Sequence, residues 1–191
     1  LIVYRPGPKA NRISPPPTPG IERVSTLNVL GVILDETLTF RQHIEQRVVH
    51  SAASSMYALK VLRSRGLSGQ QLWDVTTQTL VARMLYASPV WWGFIDVGSR
   101  NEIEAVIRRL IRLNYLPSEF GLFEEMCRKA DTALFSAVLN DSTHVLNHLL
   151  PPVKDVGYNL RPRTHDRCLP GRLSSLQKKN FFNRLLFLDS Y

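Results

Sequence analysis

The sequence predicts a mainly α protein: a short antiparallel β-ribbon, then a helical bundle, then a helical and partly irregular C-terminal region. Three observations carry that expectation. The stretch VLGVILD has strand composition and follows a proline-rich segment. From Phe40 to about Tyr115, apolar residues recur with a helical period. Capping signatures and prolines punctuate the remainder.

Taken in order, residues 1–4 read as a strand entered mid-element, and with no initial methionine the chain reads as part of a longer protein. Pro6, Pro8, Pro15, Pro16, Pro17 and Pro19 make residues 5–20 an extended loop, because proline fixes φ and removes a donor. The flanking strands, 1–4 and 28–34, are expected to pair as a long hairpin that residues 21–25 (IERVS) extend. Gly31 sits in the middle of VLGVILD, where glycine weakens a strand and marks a bulge or a close backbone approach. Asp35 reads as a turn residue leading into the first helix.

Thr39 followed by Gln42 is a weak N-terminal cap, and Phe40, Ile44, Val48, Ala52, Met56 and Leu59 then share one face to about Leu62, with Gly66 as the stop. Ser68 with Gln71 opens a second helix through Leu72, Val75, Thr79, Leu80 and Met84 toward Tyr86. Residues 90–94, VWWGF, form a connection. Ser99 with Glu102 is the cleanest capping box, opening a helix that turns Ile103, Val106, Ile107, Leu110 and Ile111 inward and ends near Tyr115 and Pro117. Shorter helices are expected at about 119–129, 131–139 and 142–150, capped by Asp131 and Ser142 and stopped by Pro151 and Pro152. Residues 176–191 are amphipathic and read as a terminal helix. The organisation is thus 1–36, 37–117, 118–156 and a basic tail from 157 to 191.

The charge balance narrows the function. A net charge of +8, from 24 Lys and Arg against 16 Asp and Glu, favours a polyanionic partner, although it also serves plain solubility. No apolar run reaches the length of a membrane span, so no membrane partner is expected. Cys127 and Cys168 form no CxxC pair, which fits a reducing, intracellular compartment. No motif for dinucleotide binding, a phosphate loop, a serine nucleophile or a zinc protease occurs. Glu124 and Glu125 read as a solvated face. Cys127, His144, His148 and Cys168 form a weak zinc set: the histidines are spaced i, i+4, but the cysteines are isolated. A Cys–His nucleophile lacks an orienting third group. No catalytic residue and no cofactor is assigned to the chain.

The basic residues cluster. Arg41, Arg47, Lys60, Arg63 and Arg65 lie along or just past the first helix, and Arg108, Arg109 and Arg112 lie on the third. Arg161, Arg163, Arg167 and Arg172 punctuate the tail before Lys178 and Lys179. Guanidinium groups take phosphate bidentately, so three such clusters point toward nucleic acid, while each alone reads as a solvated face. Trp91 and Trp92 read as core or interface anchors, with base stacking as the alternative.

Several of these segments together resemble one family. NVLGVILDETLTFRQHI resembles the segment after the palm of non-LTR (LINE, jockey-like) retrotransposon reverse transcriptases, with its YLG-V-LD-x-L-x-F-x-x-H-I pattern. LYASPVWWG resembles their Y-x-x-P-V-W-x-G segment, and YNLRPRTHDRCLP a tail motif of the same polyproteins. The resemblance runs over most of residues 24–170; Val29 stands where an aromatic is frequent, and Cys168 where a polar residue is common.

That resemblance implies a fragment of an RNA-directed DNA polymerase. Residues 1–36 would be a palm remnant with Leu30 and Gly31 as primer grip, and residues 37–117 a thumb. The catalytic carboxylates and their Mg2+ would lie upstream, in the palm and fingers of the same polyprotein. The fragment would grip an RNA/DNA primer–template duplex without performing the chemistry, and would be inactive alone. Two alternatives stay open: a stand-alone helical protein-interaction module, motivated by Trp91, Trp92 and the amphipathic end, and a non-functional retroelement relic.

Overall fold

A computed structural model describes Ile2, Pro16, residues 18–154 and residues 165–188. Among the described residues the chain is mainly helical, with one two-stranded antiparallel sheet ahead of the helices. It divides into two compact units, Leu1–Ala87 with Phe94–Phe123, and Ser88–Gly93 with Glu124–Tyr191.

In the first unit, β1 (Thr26–Val29) pairs with β2 (Val32–Asp35), Thr26 opposite Asp35 and Val29 opposite Val32. Leu30 and Gly31 connect them with φ of 49° and 86°. Positive φ at both central residues is what a two-residue type I′ hairpin turn requires, because its twist matches that of the strands. The expected strand over 28–34 is therefore two strands, and Gly31 is a turn glycine rather than a bulge. Residues 21–25 form no strand, since pairing begins at Thr26. The expected partner strand at 1–4 and most of the proline-rich loop fall outside the described residues.

Helix α1 covers residues 41–64 as Arg41–His43, a π-helical stretch Ile44–Val49, and His50–Ser64. It buries Ile44, Val48, Ala52, Met56 and Leu59, the face that the periodicity predicts. Its start is not capped by Thr39 as expected, for the Thr39 hydroxyl meets the Arg41 N–H only at 3.4 Å. Asp35 instead fixes the turn that leads into it, as expected: its carboxylate accepts from the backbone N–H groups of Thr37 (2.9 Å), Thr39 (3.1 Å) and Phe40 (2.8 Å), all ahead of the first helical residue. Those loop donors have no secondary-structure partner of their own, and a carboxylate satisfies several at once.

Helix α2 covers residues 69–85 as Gly69–Thr76, a second π-helical stretch Thr77–Val81, and Ala82–Leu85. Ser68 precedes it in extended geometry but makes no side-chain cap. The wider π turn shifts the buried set to Leu72, Thr76, Leu80, Val81 and Met84, leaving the predicted Thr79 exposed. After a short α3 (Ser88–Trp91), in place of the expected connection, α4 spans Val97–Arg112. Asp96 caps α4 by accepting from the Ser99 N–H at 2.7 Å, so the predicted cap residue Ser99 lies inside the first turn. Ile103, Val106, Ile107 and Leu110 face inward as predicted.

In the second unit, which takes all but its first residue, α5 (Phe123–Asn140) is one helix in place of the expected two. Asp131, predicted as a cap, lies buried in its interior. The helix expected near 142–150 reduces to a single 3-10 turn, Asn147–Leu149. The C-terminal amphipathic segment divides into α6 (Ser175–Lys179), opened by a Ser174–Gln177 capping box, and α7 (Phe181–Leu186), capped by Asn180. Phe135, Phe181, Leu185 and Leu186 form this unit's core. Burying such side chains contributes about 1.5–3 kcal/mol each. No helix among the described residues is long and apolar enough to cross a membrane.

Candidate nucleic-acid interface

The hairpin turn is built from two separate sequence segments. Tyr86, just past α2, donates its hydroxyl to the Leu30 carbonyl at 2.9 Å. A Cβ on Gly31 would lie 3.6 Å from the same ring, and the Gly31 N–H donates to Asn28 Oδ1 at 3.1 Å. VLGVILD and LYASPVWWG therefore meet at the turn, which leaves the Leu30 side chain 87% exposed.

Behind the turn, His43 is buried, and its Nδ1 accepts from the Ile33 N–H at 3.4 Å, tying β2 to α1. Burial, and then the positive charge of Arg47, pull its pKa down to about 4, so the imidazole is neutral. Asp35 behaves oppositely. Burial pushes its pKa up, but hydrogen bonds from Thr37 and Thr39 outweigh that and leave it below the usual carboxylate value. It is an ionised structural anchor of the turn before α1.

Beside the turn opens a cavity of about 310 Å³, lined by Gly31, His43, Gln46, Arg47, Arg83 and Tyr86 together with Val48 and Ser51. Among the described residues, no carboxylate lines it. Gln46, Arg47 and Val48 come from the π-helical stretch of α1, and Arg83 from the last turn of α2. Arg83 is absent from the basic clusters that the sequence picks out. The signal is present in the chain all the same: Arg83 stands three residues before Tyr86, on one side of a helix approaching the proline stop.

The structure sorts the residues assigned from sequence. Arg41 is ion-paired, with Nε 2.8 Å from Glu45 and Nη2 3.2 Å from Glu102. Arg63 is pinned: Nη1 donates to the Leu113 carbonyl at 2.7 Å, and its guanidinium lies 4.6 Å from the Tyr115 ring centroid. That interaction sets the end of α1 against the end of α4. Arg63 and Arg65 are thereby brought toward Arg109 and Arg112, with Lys60 one turn earlier and Arg108 also exposed. Arg41 and Glu102 mark the opposite, charge-balanced end. Along the α1 axis, Arg47 lies about 20 Å from Lys60 at the rise of a helix.

In the second unit, Arg167 is half-buried, its Nη1 donating to the Pro151 carbonyl at 3.3 Å, beside the Val153–Arg167 bridge. Arg161 and Arg163 fall outside the described residues. Arg172 and Lys178 line a cavity of about 630 Å³ with Leu173 and Phe187. Trp91 and Trp92 are buried, with ring centroids 6.0 Å apart, which removes them as base-stacking platforms. Among the described residues, no three His, Cys, Asp or Glu gather as metal ligands.

Arg184 organises this unit. It donates to Asp131 Oδ2 at 2.5 Å, to the Lys179 carbonyl at 3.2 Å and to the Pro89 carbonyl at 3.4 Å. A Cβ on Gly93 would collide with Arg184 Nε and the Lys179 carbonyl oxygen. Pro89 and Gly93 of LYASPVWWG thus hold fixed places around one guanidinium.

Compared with protein-family models, curated proteins and solved structures, the chain matches none.

Proposed function

We propose that this chain is the post-catalytic part of a non-LTR retrotransposon reverse transcriptase, gripping an RNA/DNA primer–template duplex through its first unit. The observation that carries the reading is the meeting of two resembling segments: Tyr86 seats on the Leu30–Gly31 turn through a 2.9 Å hydrogen bond. A strained, exposed turn beside uncompensated arginines suits close approach to a sugar–phosphate backbone. Lys60, Arg65, Arg108, Arg109 and Arg112 supply the sequence-independent phosphate contacts that duplex tracking needs. On this reading the palm, the fingers and the Mg2+ carboxylates act upstream in the same polyprotein, and this chain positions without catalysing.

The features that favour a protein-interaction module are largely used internally, since Trp91, Trp92, Phe181, Leu185 and Leu186 are buried. The deciding experiment is a titration of the full chain with a labelled RNA/DNA duplex across salt concentration. Affinity falling steeply with salt supports the reading. Absence of binding at low salt removes it in favour of the protein-interaction module.

A further inference from the structure

We propose that Arg47 and Arg83 form a two-arginine clamp that holds one backbone phosphate of a nucleic-acid strand against the Leu30–Gly31 turn. The inference rests on the duplex-gripping reading and names the atoms that hold one strand in register there. Both arginines line the same cavity of about 310 Å³. Neither guanidinium has an ion pair or hydrogen bond with another described residue, in contrast to Arg41, Arg63, Arg167 and Arg184. Two like charges sharing one cleft repel, and an anion between them turns that repulsion into two charge-assisted contacts. A guanidinium fork matches two phosphate oxygens, so a pair of forks from different helices fixes position as well as charge.

The backbone supports the same assignment. The π-helical stretch Ile44–Val49 supplies Gln46, Arg47 and Val48 to the cleft. Such departures from α geometry are frequent at functional sites, because they redirect side chains that a regular helix would place elsewhere. Arg83 stands two residues past the second π stretch, Thr77–Val81. Tyr86 forms the wall between Arg83 and the turn, with its hydroxyl already committed to Leu30. Among the described residues, the cleft thus presents positive charge and no competing carboxylate.

The geometry provides its own reporter. His43 lines the cavity, and the charge of Arg47 helps hold its pKa near 4. An anion seated on Arg47 opposes that charge and raises the His43 pKa. The test uses the full chain, its Arg47→Ala/Arg83→Ala double variant, and an Arg47→Lys/Arg83→Lys variant that keeps the charge but loses the fork. Both arginines are exposed, so the fold is expected to survive, which circular dichroism checks.

In the first arm, the His43 imidazole is titrated by NMR with and without inorganic phosphate; its pKa is expected to rise in the wild type and to stay fixed in the alanine double variant. In the second arm, duplex binding is measured across salt. The alanine variant is expected to bind roughly 10–100-fold more weakly and to show a slope shallower by about one, the lysine variant falling between. An unmoved His43 with an unchanged duplex slope overturns the clamp while leaving duplex gripping intact through the α1–α4 end. A wild type that binds no duplex at low salt removes the gripping reading. If His43 then still responds to inorganic phosphate, the ligand is a free phosphate group and the strand assignment is overturned.

Discussion

At the scale of single residues, the LD-x-L-x-F-x-x-H-I segment is structural chemistry. Asp35 collects the backbone N–H groups that precede α1, and His43 accepts the Ile33 N–H from beneath the ribbon. The ordinary pKa of His43 is 6.5 and its folded value about 4. Between those limits the unfolded chain binds a proton that the folded chain refuses. Stability from His43 is therefore complete above pH 6.5 and is lost as pH falls toward 4. Urea denaturation at pH 7 and pH 4 is expected to differ by on the order of 2 kcal/mol from this residue, and His43→Gln should flatten that window. Asp35, with its lowered pKa, adds acid sensitivity only below the ordinary carboxylate range. The turn makes a second prediction. Leu30 occupies a left-handed φ of 49° with an apolar side chain 87% exposed, a placement that costs stability. Type I′ turns favour Asn-Gly, so Leu30→Asn should stabilise the chain by about 1 kcal/mol, and Gly31→Ala should cost about 1–2 kcal/mol. Thermal unfolding of both variants checks the signs.

At the scale of elements, the second unit depends on one guanidinium. Asp131 is buried in α5, and burial raises its pKa against the opposing pull of Arg184. Replacing Arg184 by Met strands that carboxyl, with an expected loss of about 3–5 kcal/mol. A compensating Asp131→Leu in the same chain should recover much of it, and denaturation of the single and double variants measures the difference. Gly93→Ala tests the same hub from the other side, since its Cβ must displace Arg184 or the Lys179 carbonyl, at about 1–3 kcal/mol. These costs explain why a glycine follows the two tryptophans. The sequence places Gly93 beside Trp92, but the residue that demands it stands near the other end of the chain.

At the scale of the whole molecule, the two units carry different weights. The first holds the hairpin, the cleft and the α1–α4 basic end; the second holds the buried tryptophans and the Arg184 network. On the proposed duplex-gripping reading, neutralising Lys60, Arg109 and Arg112 together is expected to lower the salt slope of binding by about one for each phosphate they cease to neutralise, without base preference. Arg41→Ala is expected to leave that slope unchanged, because Glu45 and Glu102 already balance its charge. Anisotropy titrations at several salt concentrations distinguish the two outcomes. Arg47 of the cleft and Lys60 of the basic end lie about 20 Å apart along α1, roughly six base-pair rises on a duplex strand.

Much of the fold is legible in the chain. The inward faces of α1 and α4 follow from apolar spacing, because burial along a helix depends on a local period. The mainly helical class with a short ribbon follows from the same pattern and from the prolines. Features whose cause is distant or geometric are the ones the sequence misplaces. VLGVILD reads as one strand until the positive φ values at Leu30 and Gly31 divide it into a hairpin. Asp131 reads as a cap until Arg184, 53 positions away, makes its burial tolerable inside a continuous α5. The basic clusters are visible as charge, but which arginines are compensated, pinned or free is decided by partners such as Glu102, Leu113 and Pro151. Period, composition and capping are properties of neighbours along the chain. Charge compensation and the Arg47–Arg83 cleft arise only when segments far apart in sequence are folded together.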